Sequence, residues 1–238
     1  IISNLDPRGT FSKLIDERIM PMGIRTHLKT PISPVSSGKV HLALRERPII
    51  ARLEAIGHNY SGRITIAPSL EGIISNCDTA IEGKLSDKLL MTFAIPTVDD
   101  DSLAPPGKHL MSIDVHHMPV TNGGEPWNDE NSNLLVEKVL ANLRMYCAEL
   151  DGLIENIAVI TPGYLQSHYG IVSGHGSHLP MTSEFLVEKR RFPYCGQHTT
   201  PITWLYMCGA GTFPGSGVSG APGYNCARTI RSICKTER

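Results

Sequence analysis

Apolar residues recur along this chain with two spacings, and each spacing predicts one kind of element. Alternation of apolar and polar positions predicts a half-buried strand at Val40 to Leu44, with His41 facing away from the core. Short apolar segments predict further strands at Arg63 to Ile66, Leu89 to Ile95 and Leu110 to Val115. Apolar residues three or four positions apart predict helices after Asp6-Pro7, from Ser69, from a cap at Asp129, after Thr161-Pro162 and from about Val218.

The apolar stripes of three of these helices are predicted to face a core. They are Phe11, Leu14, Ile15 and Ile19; Leu70, Ile73, Ile74, Cys77 and Ile81; and Leu134, Leu135, Val139, Leu140 and Leu143. Strands in the middle of the chain and helices at both ends indicate a mixed α and β protein.

The C-terminal stretch carries the strongest functional pattern. A buried strand is predicted at Trp204 to Met207, followed by a loop with six glycines between Gly209 and Gly223 and then the helix from about Val218, with Val218, Ala221, Ala227, Ile230 and Ile233 on one face. Glycines allow a ligand to approach the main chain, and a helix N-terminus directs free N–H groups and a positive dipole end at it. The pattern favours a ligand with negative charge or strong acceptors; the alternative is a tight turn before a terminal helix.

Composition narrows the class of partner. The chain has 238 residues, 41% hydrophobic and 19% charged, with a net charge of −1, so it lacks the basic excess of a nucleic-acid-binding protein. It has no run of about 18 apolar residues, although peripheral membrane contact stays open. The six cysteines show no C-x-x-C spacing and are expected to be mostly free, in an intracellular reducing compartment, either cytoplasm or mitochondrial matrix.

Four segments together resemble one known family. GAGTFPGSGVSGAPGYNCA, SNLDPRGTF, KVHLAL and SLAPPGKHLMSI are similar to segments of the phytoene-desaturase-like FAD-dependent oxidoreductases. The resemblance implies that the C-terminal loop binds FAD through Gly209, Ala210, Gly211, Thr212, Pro214, Gly215, Gly217, Val218 and Gly220. Three positions depart from the family pattern, with Phe213 in place of His, Ser216 in place of Gly and Tyr224 in place of Arg. Ser216 is expected to restrict the loop backbone, and the lost Arg removes a charged contact.

The resemblance also implies the domain organisation and the activity. Residues 1–30 would end the first portion of a FAD domain, residues 31–195 would form an α+β substrate domain with a mixed, largely antiparallel sheet, and residues 196–238 would add the C-terminal strand, loop and helix of a Rossmann-like α/β FAD domain. The G-x-G-x-x-G segment that binds the ADP half of FAD is expected upstream of Ile1, so the chain would be part of a longer enzyme. That enzyme would oxidise or isomerise a hydrophobic, unsaturated substrate.

Side-chain chemistry gives weaker candidates. His178 stands at the position of a histidine of the family, in a loop that the resemblance implies is near the reactive face of the flavin. It is the active-site candidate. The alternative is a loop histidine whose side chain is satisfied by backbone groups. His175 and His178 lack an evident third ligand and a carboxylate partner. The adjacent His116 and His117 would face opposite sides of a strand, and the side chains of Asp99 to Asp101 would diverge, so no metal is predicted. The run Glu188 to Arg191 is expected to be a solvated face. No general acid or base is assigned.

Two other functions stay open at this point. The presence of only half of a flavin site is also consistent with a non-catalytic remnant, or with a protein-interaction module that keeps the fold of the substrate domain. A metal-dependent hydrolase ranks below both, because the ten histidines are scattered.

Overall fold

The computed structural model describes residues 1–186 and 190–236, which form two compact units. The first unit contains Ile1–Ser33 and Leu165–Arg238, and the second contains Pro34–Tyr164. The middle segment therefore ends earlier than the boundary predicted at residue 195. Residues after 164 join the first unit because, for example, the Phe192 ring stacks on Phe11 with ring centroids 5.3 Å apart.

The helices and strands follow one another along the chain, with a long connection between Tyr169 and Tyr206. In chain order they are β1 (Ile2–Ser3), α1 (Pro7–Leu14), α2 (Met22–Leu28), β2 (Val35–Leu44), α3 (Ala51–Glu54), β3 (Ile64–Ile66), α4 (Leu70–Ile81), β4 (Met91–Ala94), β5 (His109–Pro119), α5 (Asp129–Arg144), α6 (Leu150–Leu153), β6 (Ile154–Ile160), α7 (Pro162–Tyr169), β7 (Tyr206–Met207) and α8 (Ala221–Thr236).

The second unit is built on a five-stranded antiparallel sheet with strand order β3-β4-β5-β2-β6. The predicted alternation in β2 is confirmed, since Val40, Leu42 and Leu44 are fully buried while His41 is half-buried on the other face. The inward sheet face packs against α5, whose Leu135 and Val139 belong to the same core. Side chains that alternate along strands and recur along one helix face therefore meet in a single apolar layer.

The first unit has a smaller core and a parallel strand pair. β1 pairs with β7 in parallel, with Ile2 opposite Tyr206 and Ser3 opposite Met207. The apolar cluster beside this pair consists of Phe11, Met20, Ile24, Phe192, Cys195, Leu205 and Met207. The mainly antiparallel sheet with a C-terminal strand, loop and helix confirms the predicted fold class.

The C-terminal strand is shorter than predicted. Trp204 is 52% exposed and has a φ of 62°, so it lies outside β7 and outside the core. Only Tyr206 and Met207 pair with β1.

The core stripe predicted for α4 is wrong at three of its five positions. Leu70, Ile74 and Ile81 are exposed and Ile73 and Cys77 are half-buried, whereas Asn76 and Ala80 are fully buried. The Asn76 Nδ2 donates to the Lys88 carbonyl at 2.6 Å, which satisfies an amide on the packed side.

The first helix is shorter than its predicted stripe. Asp6 caps α1 as predicted, accepting from the Arg8 and Gly9 N–H groups, but the helix ends at Leu14. Leu14 and Ile19 are exposed because the chain then forms a separate 3-10 turn capped by Asp16.

Two predicted helix starts are displaced. Asn128, and not Asp129, caps α5 through a reciprocal pair of hydrogen bonds with Asn131. α8 begins at Ala221 and not near Val218, because Val218 and Gly220 have φ values of 55° and 70° that a helix cannot include.

Candidate functional site

The glycine loop, defined here as residues 208–220, connects β7 to α8 within the first unit. Its first half is packed tightly: a Cβ at Gly209 would overlap the Asn4 main chain, and a Cβ at Gly211 would overlap the Pro7 ring. Thr212 is buried, and its Oγ1 donates to the Gly209 carbonyl at 2.8 Å. The first half of the loop needs glycine because of close packing.

The second half of the loop needs glycine for a different reason. Gly215, Gly217 and Gly220 have φ values of 114°, 132° and 70°, which side chains disfavour. A Cβ at Gly217 or Gly220 would meet no atom within 4 Å. This half of the loop therefore presents main chain towards open space, where a ligand can approach it.

Val218 is the most unusual residue of the loop. It is β-branched, has a φ of 55° and is fully exposed. Such a conformation costs on the order of 1–3 kcal/mol and is concentrated at functional sites. A strained and fully exposed valine fits a role in contact with a ligand.

The N-terminus of α8 adds hydrogen-bond donors at the end of the loop. The Ala221 N–H donates to Ser219 Oγ at 3.2 Å, the Tyr224 N–H donates to the Gly220 carbonyl, and Pro222 has no N–H. The Gly223 N–H lies in the first turn of α8, where a helix provides no partner of its own, at the positive end of the helix dipole, so it can donate to an external acceptor.

The structure shows the contacts of the three residues that depart from the family pattern. Ser216 has no positive φ and its Oγ bonds Ser177 Oγ at 3.0 Å, so serine fits without strain there. Tyr224 is exposed, and the Arg228 Cζ lies 5.8 Å from the centroid of its ring. An arginine is therefore close to the position where the family has one. Phe213 is half-buried.

The prediction that Glu188 to Arg191 forms a solvated face is wrong for Arg190. Glu188 and Lys189 lie outside the described residues, and Arg191 is exposed, but Arg190 is only 1% exposed. Its Nε donates to the Ala210 carbonyl at 2.7 Å and its Nη1 to the Phe185 carbonyl at 2.9 Å. Sequence reasoning missed this residue because a run of charged residues normally indicates an exposed segment.

His178 lies beside the first half of the glycine loop. A Cβ at Gly211 would come within 3.4 Å of its Cβ. Its main-chain N–H donates to the His175 carbonyl at 2.7 Å, and its Nδ1 is buried without a hydrogen-bond partner among the described residues. Burial, with the Arg190 charge as a smaller cause, lowers the pKa of His178 and favours the neutral ring.

Asp6 is a second buried polar group at this place that sequence reasoning treated only as a helix cap. Its Oδ1 accepts the Arg8 and Gly9 N–H groups at 2.8 and 3.1 Å, while its Oδ2 is buried without a partner in the described chain. Burial raises the pKa of Asp6 to about 6, against the lowering effect of those N–H donors. The following residue, Pro7, contacts Gly211, so Asp6 is adjacent to the loop.

These features fit a flavin. A flavin has a negatively charged phosphate arm, ring carbonyls and ribityl hydroxyl groups, and an open glycine backbone with a helix N-terminus can contact them closely. The same region contains buried polar atoms without hydrogen-bond partners in the described chain, such as His178 Nδ1 and Asp6 Oδ2. A bound ligand would supply such partners. Within the described residues there is no cluster of three histidine, cysteine or acidic side chains suited to a metal ion.

No helix in the described part of the chain combines the length and apolar character needed to cross a membrane.

Comparison with known proteins gives relatives but no family model that matches. Pyridine nucleotide-disulfide oxidoreductase domain-containing protein 2 of Mus musculus is 32% identical over 149 residues, which cover 62% of this chain and 26% of the relative. A limonene dehydrogenase component of Castellaniella defragrans is 27% identical, covering 97% of this chain and 44% of the relative. The chloroplastic prolycopene isomerase of Daucus carota is 25% identical, covering 97% and 35%. The chain thus spans between a quarter and a half of the length of these curated relatives.

Proposed function

We propose that this chain, a homologue of the phytoene-desaturase-like FAD-dependent oxidoreductases, contributes the ring side of a FAD site in an oxidoreductase. The observation that carries this proposal is the glycine loop, whose second half exposes main chain beside the N-terminus of α8. The residues proposed to contact the cofactor are Gly209, Ala210, Gly211, Thr212, Pro214, Gly215, Gly217, Val218 and Gly220.

The chain's own groups would act on the cofactor by position and charge. FAD, when bound, would supply the electron-accepting chemistry. The Gly223 N–H and the dipole of α8 would stabilise negative charge at the nearer edge of the ring. The neutral His178 ring can donate or accept a hydrogen bond, and it is the active-site candidate among the described side chains.

The proposal is tested by titrating FAD with the 238-residue chain and following the fluorescence of free FAD. We expect saturable binding with one FAD per chain. Absence of binding at any accessible protein concentration would contradict the proposal and favour the non-catalytic interaction module.

A substitution in the open half of the loop tests the site itself. Gly217→Ala adds a methyl group in open space, but its φ of 132° disfavours any side chain, so the loop must change conformation at a cost of about 1–3 kcal/mol. We expect FAD affinity to fall about tenfold or more. The matched control is Gly152→Ala, at an exposed glycine of α6 without positive φ and with no atom within 4 Å of the added Cβ. Equal affinities of the two variants would exclude the loop from the site.

We further propose that the substrate is hydrophobic and unsaturated, as limonene and prolycopene are. Support comes from an apolar cavity of about 250 Å³ in the second unit, on the core side of the sheet. It is larger than the ~150 Å³ engineered cavity that binds benzene. Its walls include Ile50, Leu53, Ile64, Ile66, Phe93 and Met111.

Ile64→Phe tests the cavity by filling part of it. We expect the affinity for limonene, used as the probe, to fall about tenfold, with little change in unfolding free energy because the side chain extends into existing space. Ile56→Phe, at an exposed position outside the cavity lining, serves as the control. Unchanged limonene binding in Ile64→Phe, measured by calorimetry, would exclude the cavity as the binding place.

The compartment proposed for the protein is a reducing one. All six cysteines are free in the described chain, which is the usual state of thiols in such a compartment.

A further inference from the structure

Arg190 is a buried cation whose hydrogen bonds in the described chain go to main-chain carbonyls and one thioether, not to carboxylates. Its Nη2 donates to the Ser177 carbonyl and, at 3.4 Å, to the Leu179 carbonyl. Weaker contacts at 3.5 Å join Nη1 to the Pro180 carbonyl and Met181 Sδ. The ion pairs found among the described residues do not include Arg190.

These partners belong to two separate segments of the first unit. One is the glycine loop, through Ala210, and the other is the segment 177–185 that follows the His178 turn. The aliphatic part of the same side chain lies under Gly215, where a Cβ would come within 2.6 Å of the Arg190 Cδ. One side chain therefore supports the glycine loop at two points and ties it to the segment that carries His178.

Arginine suits this position for two reasons. Its planar guanidinium has five N–H donors in fixed directions, so it can bond several carbonyls at once, which a lysine ammonium cannot do with the same geometry. Burying a cation without a carboxylate partner is unfavourable by several kcal/mol, part of which its carbonyl hydrogen bonds offset, so a negatively charged ligand nearby would stabilise Arg190 further. The charge of Asp6 acts on Arg190 only from beyond hydrogen-bond distance.

We propose that Arg190 is a positioning residue for the flavin: it holds the glycine loop in its open conformation and places a positive charge behind it that favours the negatively charged reduced cofactor. This inference rests on the proposed function, because it assumes that the loop binds FAD. The two roles separate in substitutions, since lysine keeps the charge without the planar fork, whereas glutamine removes the charge and has two N–H donors in place of five.

The first readout is amide hydrogen exchange in the chain without ligand, which does not depend on flavin binding. We expect Arg190→Gln and Arg190→Lys to increase exchange in 208–220 about tenfold or more, while β2 and β5 of the second unit keep the exchange rates of the parent. Arg191→Gln, which removes the neighbouring exposed arginine, should leave the loop unchanged. Parent-like exchange in both Arg190 variants would overturn the positioning role.

The second readout is the FAD affinity and the reduction potential of the bound flavin. We expect Arg190→Gln to bind FAD about tenfold more weakly than the parent. The reduction potential of the bound flavin should fall by about 30 mV for each tenfold decrease in the affinity for reduced flavin relative to oxidised flavin. Arg190→Lys should restore the potential but not the affinity or the loop protection. If the parent binds FAD and both variants match it in affinity and potential, the inference fails while the proposed function stands.

Two further outcomes are also decisive. If the parent chain binds no FAD, the proposed function fails and the cofactor role of Arg190 fails with it. If Arg190→Gln does not fold, Arg190→Lys carries the test, and parent-like loop exchange in that variant overturns the inference.

Discussion

Gly209→Ala is expected to destabilise the first unit by about 3 kcal/mol and to abolish FAD binding. The added Cβ would overlap the carbonyl oxygen of Asn4 and lie 2.9 Å from its carbonyl carbon. These atoms belong to main chain next to β1, and the Cys208 N–H already donates to the Ser3 carbonyl at 2.9 Å. Backbone on both sides is therefore fixed, and the overlap cannot be relieved by rotating a side chain.

Urea unfolding followed by near-ultraviolet circular dichroism, together with a FAD titration, measures this effect. Gly152→Ala, at a glycine of α6 with no neighbour within 4 Å, should stay within about 0.5 kcal/mol of the parent. A Gly209→Ala chain with parent stability and parent FAD affinity would show that β1 and the glycine loop do not pack as described.

Asp6→Asn is expected to make the chain more stable at neutral pH by up to about 3 kcal/mol. Burial raises the pKa of Asp6 from 3.8 to about 6 in the folded chain. Between these values the folded state binds more protons at Asp6 than the unfolded state does, so the contribution of Asp6 to stability falls as pH rises from about 4 to about 6 and then levels off. Asparagine still caps α1, because its side-chain oxygen accepts the same N–H groups without charge.

Thermal unfolding between pH 4 and pH 7.5 tests this expectation. The stability advantage of Asp6→Asn over the parent should grow between about pH 4 and pH 6 and then stay constant. Asp16→Asn is the control, because Asp16 is an exposed cap whose pKa is lowered by its hydrogen bonds to Arg18, so that variant should show no such growing advantage over the parent. Parallel curves for the parent and Asp6→Asn would show that Asp6 is not buried as a charged group.

Helices and strands could be predicted from the spacing of apolar residues because that spacing shows which side of a helix or strand is apolar. The alternation around Val40 and Leu42 indicated β2, and Asp6-Pro7 indicated the start of α1. The same periodicity cannot say whether the apolar side is covered. The exposed Ile74 and Ile81 of α4 illustrate that limit, since an exposed stripe and a buried stripe have the same spacing.

The glycine loop could be recognised from the sequence, but its internal division could not. Gly209 avoids a clash with Asn4, about 200 positions earlier in the chain, whereas Gly217 is needed for its φ alone. Arg190 could not be recognised because its carbonyl partners come from two segments that only the fold brings together. Which of the predicted loop residues contact FAD stays a prediction.

Amide hydrogen exchange of the 238-residue chain with and without saturating FAD tests whether the glycine loop binds the cofactor. We expect FAD to slow exchange in residues 208–224 and near His178, with no change in β2 to β6 of the second unit. Unchanged exchange in 208–224 at saturating FAD, or protection confined to the second unit, would contradict this expectation.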